Sequence, residues 1–138
     1  MTDIALTAAK IGAVYKSAEI IDMIAAVAIT RGQALYQTSS GTVGLADANV
    51  TDKKQFIGIA LEAASIGKVV PVLKRGHCYG FTLTSQTYED AVYLSDTEAV
   101  LGDSAGTLTV GAGRVVALPD SDLTKVIYIE ALWGHEWA

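Results

Sequence analysis

The sequence predicts an all-β fold, a compact barrel or sandwich built from two similar halves and preceded by an N-terminal arm. From Arg31 onward the apolar runs are short and rich in Val, Ile and Thr, and Gly, Asn, Asp and Ser separate them. This composition is typical of strands joined by turns. The chain has 138 residues, of which 51% are apolar, enough to bury the core of a single domain.

Residues 1–17 are predicted to form an arm outside a β domain that occupies residues 18–138. The segment is weakly periodic and too short to fold alone. It combines aliphatic side chains with lysines and could become ordered on a binding partner. The candidate contact residues are Ile4, Leu6, Lys10, Ile11, Val14 and Lys16. A disordered tail without a role is the alternative.

Residues 18–30 are ambiguous between a helix and a strand. Ile20, Ile24 and Val27 fit a helical stripe, whereas residues 19–24 could equally be a strand followed by a bend at Ala25 and Ala26. We favour the strand because the rest of the chain is β and Gly32 follows closely.

Nine later runs are predicted to be strands, since each is short, apolar and mostly bounded by turn residues. They are residues 34–38, 42–45, 56–63, 68–74, 79–83, 91–94, 107–110, 114–118 and 125–132.

The internal repeat aligns residues 31–73 with residues 88–130 without a gap. Eight positions are identical at the offset of 57, namely 34, 36, 43, 48, 60, 61, 68 and 69 with their equivalents. Neither half could bury its apolar face alone, so the two halves are expected to close on each other. Coincidence between β-patterned runs is the alternative interpretation.

The charge balance argues against nucleic acid or a membrane as partner. Ten Lys and Arg against 15 Asp and Glu give a formal net charge of −5, without a broad basic surface. The longest apolar run, residues 23–29, is much shorter than the ~20 residues of a membrane-spanning helix, and the N-terminus lacks the basic region of a secretory signal. The single cysteine, Cys78, favours a reducing cytoplasm.

No sequence pattern indicates catalysis, so the protein is predicted not to be an enzyme. A Gly-x-Ser-x-Gly motif is absent from the sequence. His77 and Cys78 are neighbours, but adjacent residues of a strand point to opposite faces, which favours a small buried thiol over a nucleophile. Gly111 and Gly113 precede a predicted strand rather than a helix, unlike a dinucleotide-binding fingerprint.

No metal or cofactor is expected either. His77 and His135 are far apart and form no two-His motif. The acids of the predicted loops follow no EF-hand pattern and are interpreted as solvated turn residues. These acids are Asp96, Glu98, Asp103, Asp120 and Asp122.

Lys53 and Lys54 raise a less favoured alternative, a lipoyl or biotinyl carrier domain. Such carriers present a lysine at a hairpin tip, flanked by Met or by Asp and a small residue. The run from Asp52 to Lys54 matches that pattern only in half, and lysines in a polar hairpin are usually solvated.

Several segments taken together resemble the small capsid decoration, or cement, proteins of tailed bacteriophages. In the second half they are residues 90–97, 105–110, 113–118 and 122–128, and in the first half residues 29–36, 44–48, 55–60 and 72–77. The resemblance covers about residues 18–133. Its motifs are strands and turns without reactive residues.

The resemblance implies a β-rich homotrimer on the outer surface of a phage head, where it would clamp neighbouring major capsid subunits. The protein would be made in the host cytoplasm and would carry no catalytic residues. Residues 1–17 would correspond to an arm that reaches the shell. A head-fibre or tail accessory module of similar fold is the alternative.

Trp133 and Trp137 near the C-terminus have no counterpart in the resemblance. Two Trp residues within five positions favour burial against a neighbouring chain. Both are therefore candidate residues of an oligomer interface.

Overall fold

The computed structural model describes residues 2–137 and confirms the all-β prediction. Ten strands form one antiparallel sheet that curls into a half-barrel, and within these residues the only helical elements are two 3₁₀ turns, Ala8–Lys10 and Thr51–Lys53. The strands are β1 (Gly12–Ala13), β2 (Glu19–Ile24), β3 (Ala34–Gln37), β4 (Val43–Leu45), β5 (Phe56–Ala60), β6 (Val69–Tyr79), β7 (Ala91–Leu94), β8 (Leu101–Gly102), β9 (Gly111–Ala117) and β10 (Lys125–Glu130).

The two halves contribute equivalent strands. The sheet runs β4-β3-β5-β6-β10-β9-β7-β8, so the equivalent strands follow one another in the same order from each edge of the sheet to its centre. A β-bulge falls between Leu35 and Tyr36, and another falls between Val92 and Tyr93, which are the equivalent positions 57 residues later. The halves are joined by pairing of β6 with β10, which gives the sheet an approximate twofold arrangement.

The long strand β6 covers a segment for which the sequence predicts two separate strands. Residues 68–74 and 79–83 were predicted as separate strands, but Val69–Tyr79 is continuous and only its last residue belongs to the second prediction. The sequence prediction leaves residues 75–78 outside any strand because they interrupt the apolar pattern. Here Gly76 is buried against Ala18 and Arg75 is exposed, and partner strands on both edges keep the backbone extended.

The predicted strand 107–110 is also wrong. Asp96 accepts hydrogen bonds from the Thr107 backbone N–H (2.7 Å) and hydroxyl (2.8 Å), which hold this segment in a bend. The strand that pairs with β7 on this side is β8, where Gly102 lies opposite Tyr93.

The strand interpretation of residues 18–30 is confirmed. Glu19–Ile24 pairs with β6, and the chain then bends at Ala26. Ala25 forms a parallel bridge to Val43, which brings this chain segment against β4.

Buried side chains form two clusters, because the central strands of the first half are covered on both faces. Adjacent residues of one strand belong to different clusters, as do Ala34 and Leu35 on β3 and Val72 and Leu73 on β6. All five residues of β5 are buried. The larger cluster extends into the second half and the smaller one is closed by Ala25 and the loop after it.

The N-terminal segment is part of the core, which corrects the prediction of a separate arm. Ile4 and Ile11 are only 3% and 5% exposed and belong to the larger cluster. The Ile4 N–H donates to the Leu101 carbonyl (2.8 Å), and the Thr7 N–H donates to the Gly80 carbonyl (2.8 Å). The β domain therefore uses these residues to close the sheet between β8 and the end of β6.

Polar contacts fix the start of this segment as well. The Ser95 and Thr97 hydroxyls donate to the Asp3 carboxylate at 2.5 and 2.7 Å. Of the remaining candidate contact residues, Leu6 packs against the core and Val14 is half-buried, whereas Lys10 and Lys16 are exposed. Met1 lies outside the described residues.

Candidate functional site

An unpaired strand edge is the most conspicuous surface feature of the fold. Within residues 2–137, β2 pairs only with β6 along its length. Its outer edge presents backbone groups available to another strand, and natural sheets usually protect such an edge. This edge is therefore a candidate contact site.

Exposed apolar side chains lie on this strand and beside its C-terminal end. We call them the apolar corner: Ile20 near the start of β2, and Ile24, Val27, Ile66 and Val69 at its end. Ile24 lies opposite Val69 in the β2–β6 register. The Gly67 N–H donates to the Ala25 carbonyl (2.8 Å), which holds the loop carrying Ile66 beside the bend that carries Val27. Ile66 is 69% and Val69 is 55% exposed. Apolar residues gathered in this way indicate a protein–protein contact.

Asp22 restricts which strand can pair with this edge. It lies between Ile20 and Ile24 and is exposed. If β2 paired symmetrically with β2 of a second copy, the two Asp22 side chains would lie opposite or diagonal to each other, and like charges so placed are destabilising. The edge is better suited to a different strand that is neutral or basic at the facing position.

The two C-terminal Trp side chains both pack on their own chain. The Trp133 indole N–H donates to the Ile57 carbonyl (2.9 Å), and Lys74 Nζ lies 4.7 Å from the ring centroid. Trp133 remains 39% exposed, while Trp137 packs over Gly111 and against the larger core cluster. Their role in an oligomer interface stays a prediction.

His77 and Cys78 point to opposite sides of β6, as predicted from their adjacency. The Cys78 side chain is fully buried, and loss of hydration raises the pKa of its thiol to about 12. The His77 ring lies between those of Tyr15 and Tyr128, at centroid distances of 5.0 and 5.1 Å. This arrangement does not activate the thiol.

Cys78 should therefore resist thiol reagents in the folded protein. At pH 8 a thiol whose pKa is about 12 holds a thiolate fraction of only about one in ten thousand, and the thiolate is the reacting species. We expect no reaction with a disulfide reagent within an hour, and one thiol per chain after denaturation in urea. Rapid labelling of the native protein would contradict the buried, inert thiol.

Asp120, one of the loop acids, and Lys53, one of the two candidate carrier lysines, both contact other groups of the same chain. The backbone N–H of Thr124 lowers the pKa of Asp120, and its hydroxyl donates to the same carboxylate at 2.7 Å. Among residues 2–137 no three potential metal ligands come together. Lys53 ends a 3₁₀ turn rather than occupying a hairpin tip, with Nζ 3.6 Å from a Glu98 oxygen.

Comparisons of the chain with protein-family models, with curated proteins and with solved structures found no match. In the described part of the chain, no helix has the length and apolar character needed to cross a membrane. The free edge could not be located from the sequence, because residues 18–30 are ambiguous between a helix and a strand. The available signal was the alternation of Ile20, Asp22 and Ile24, which share one exposed face of β2.

Proposed function

We propose that this protein is a capsid decoration protein of a tailed bacteriophage, which binds the outside of the head and stabilises contacts between major capsid subunits. The family resemblance motivates the proposal. The free edge of β2 with its apolar corner is the observation that carries it, since this surface suits a stable contact with another protein.

The chemistry of the surface favours a capsid subunit over a second copy at this site. Asp22 disfavours symmetric pairing of two β2 strands. An extended segment of the major capsid protein could add to the edge through backbone hydrogen bonds, while its apolar side chains cover Ile24 and Val69. The two lysines of the N-terminal segment, Lys10 and Lys16, remain exposed for acidic rims of the shell.

In this proposal the protein acts as a homotrimer, without catalytic activity or a cofactor. It is made in the host cytoplasm and is located on the virion surface. Trimer contacts would use a surface other than the β2 edge, and the exposed part of Trp133 is one candidate. Light scattering on the purified chain would then give about three times 14.4 kDa.

Charges placed at the apolar corner should weaken capsid binding. We expect the double variant Ile24→Lys, Val69→Lys to lose at least about tenfold in affinity, because two lysines would have to be desolvated in an apolar contact. Both side chains are already largely exposed, so the fold should survive. The measurement is co-sedimentation with expanded capsids that lack the protein.

The matched control is Leu123→Lys, which changes an apolar residue with a similar exposed fraction, 53%, in the loop between β9 and β10. It should bind capsids like the original protein. Undiminished binding of the double variant would exclude the apolar corner as the contact, and failure of the original protein to bind any such capsid would exclude the proposed function.

A further inference from the structure

A groove crosses the face of the second half that points away from the core. It has a volume of about 320 Å³, at the lower end of the roughly 300–1,000 Å³ of ligand sites in proteins. The pairing register places Ala91, Arg114 and Tyr128 side by side across β7, β9 and β10, and places Tyr93 beside Gly111. Trp137 and Leu132 from the C-terminal segment form the opposite wall.

The position of the Trp137 wall depends on Gly111. A Cβ atom at this position would lie 3.2 Å from Cη2 of Trp137 and 3.6 Å from its Cζ2. Gly111 does not have the positive φ that would itself require glycine. The missing side chain therefore lets the indole lie directly against β9, next to the position of Tyr93.

Three aromatic residues, Tyr93, Tyr128 and Trp137, line this small space. Within residues 2–137 the buried Nε1 of Trp137 has no hydrogen-bond partner. Buried polar groups left unpaired are uncommon, and an oxygen of a bound ligand is the kind of acceptor that would satisfy this donor.

The charged groups of the groove suit a ligand that can both accept and donate hydrogen bonds. Arg114 and Glu130 are the two charged residues in the described lining, and a Glu130 oxygen lies 3.6 Å from Nε of Arg75. Nη1 of Arg114 already donates to the Glu89 carbonyl at 2.9 Å, which fixes the guanidinium at the rim. A phosphate would meet the carboxylate of Glu130, whereas a neutral polyhydroxylated ligand could use both groups as hydrogen-bond partners.

From this geometry we propose that the groove binds a neutral carbohydrate, with one or two sugar rings lying against the aromatic walls. A sugar ring has apolar C–H faces that pack on aromatic rings and hydroxyls at its edge that pair with charged and polar groups. This activity goes beyond capsid stabilisation and uses the opposite half of the fold from the apolar corner.

Three neutral trisaccharides, chitotriose, maltotriose and cellotriose, test the proposal by ligand-observed saturation-transfer NMR on the intact chain. We expect at least one to bind saturably with a dissociation constant of about 1 mM or below, equivalent to about 4 kcal/mol. Guanosine monophosphate, which is aromatic and anionic, should bind more weakly. Trp137→Ala and Gly111→Val should each weaken sugar binding at least about fivefold.

Trp133→Ala is the matched control, since Trp133 lies outside the groove, and it should bind sugar normally. Thermal melts check that each variant is folded, and Gly111→Val displaces the Trp137 ring without removing any side chain. The proposal is overturned if none of the three sugars binds at about 10 mM, if the nucleotide binds better, or if both groove variants bind like the original protein.

Discussion

Deletion of residues 2–13 should leave a chain that no longer folds cooperatively. The deletion removes Ile4 and Ile11 from the larger core cluster, together with the pairing of β1 with β6 and the contacts of Asp3. Loss of a buried Ile side chain typically costs about 2–5 kcal/mol, so two such losses approach the whole stability of about 5–15 kcal/mol expected for a domain. Circular dichroism melts and urea titrations would measure the loss.

Point variants separate this effect from mere shortening of the chain. We expect Ile4→Ala and Ile11→Ala each to cost about 2–5 kcal/mol and to lower the melting temperature by roughly 10 °C. The exposed neighbours provide matched controls, since Lys10→Ala and Lys16→Ala should change stability by less than about 0.5 kcal/mol. If the truncated protein has an unchanged melting temperature, the N-terminal segment is not part of the core, and the separate arm that the sequence predicts would be correct.

The N-terminal segment shows why its packing could not be predicted from local pattern. Its partners are distant in sequence, since Ile4 bonds to Leu101 and Asp3 to Ser95. Two buried isoleucines separated by a 3₁₀ turn show neither a helical nor a strand period. By contrast, β3 and β7 could be predicted closely because each has its own apolar run and its own bounding turn residues.

The apolar corner and the groove differ in how well each could be predicted from the sequence. The apolar corner depends on pairing of Ile24 with Val69, and the apolar character of both was already visible. The groove combines Tyr93, Gly111 and Trp137, which come from two strands and the C-terminal segment. The strand register brings Tyr93 beside Gly111, and the path of the C-terminal segment adds Trp137. The aromatic residues therefore have no recognisable spacing in the sequence, and the role of Gly111 depends on the indole above it.

Replacement of Gly113 by Ala should destabilise the protein by about 3 kcal/mol or more, although it adds only one methyl group. The new Cβ would overlap the Tyr128 carbonyl oxygen and lie 3.3 Å from the Ile129 Cα. Both contacts are with the backbone of β10, so no side-chain rotation can relieve them. The strands β9 and β10 would have to separate at a position where Gly113 pairs with Ile129 and with Val92, and overpacking of this kind typically costs 1–3 kcal/mol or more.

Gly111→Ala in the same strand is the appropriate comparison, because its Cβ would meet only the Trp137 ring. An aromatic ring at the end of the chain can shift by a few tenths of an ångström, whereas a paired backbone cannot do so without losing hydrogen bonds. We therefore expect Gly111→Ala to remain within about 1 kcal/mol of the original protein in urea unfolding, while Gly113→Ala unfolds at a much lower urea concentration. Equal stabilities for the two variants would mean that β9 and β10 are not as close at Gly113 as the pairing of the two strands requires.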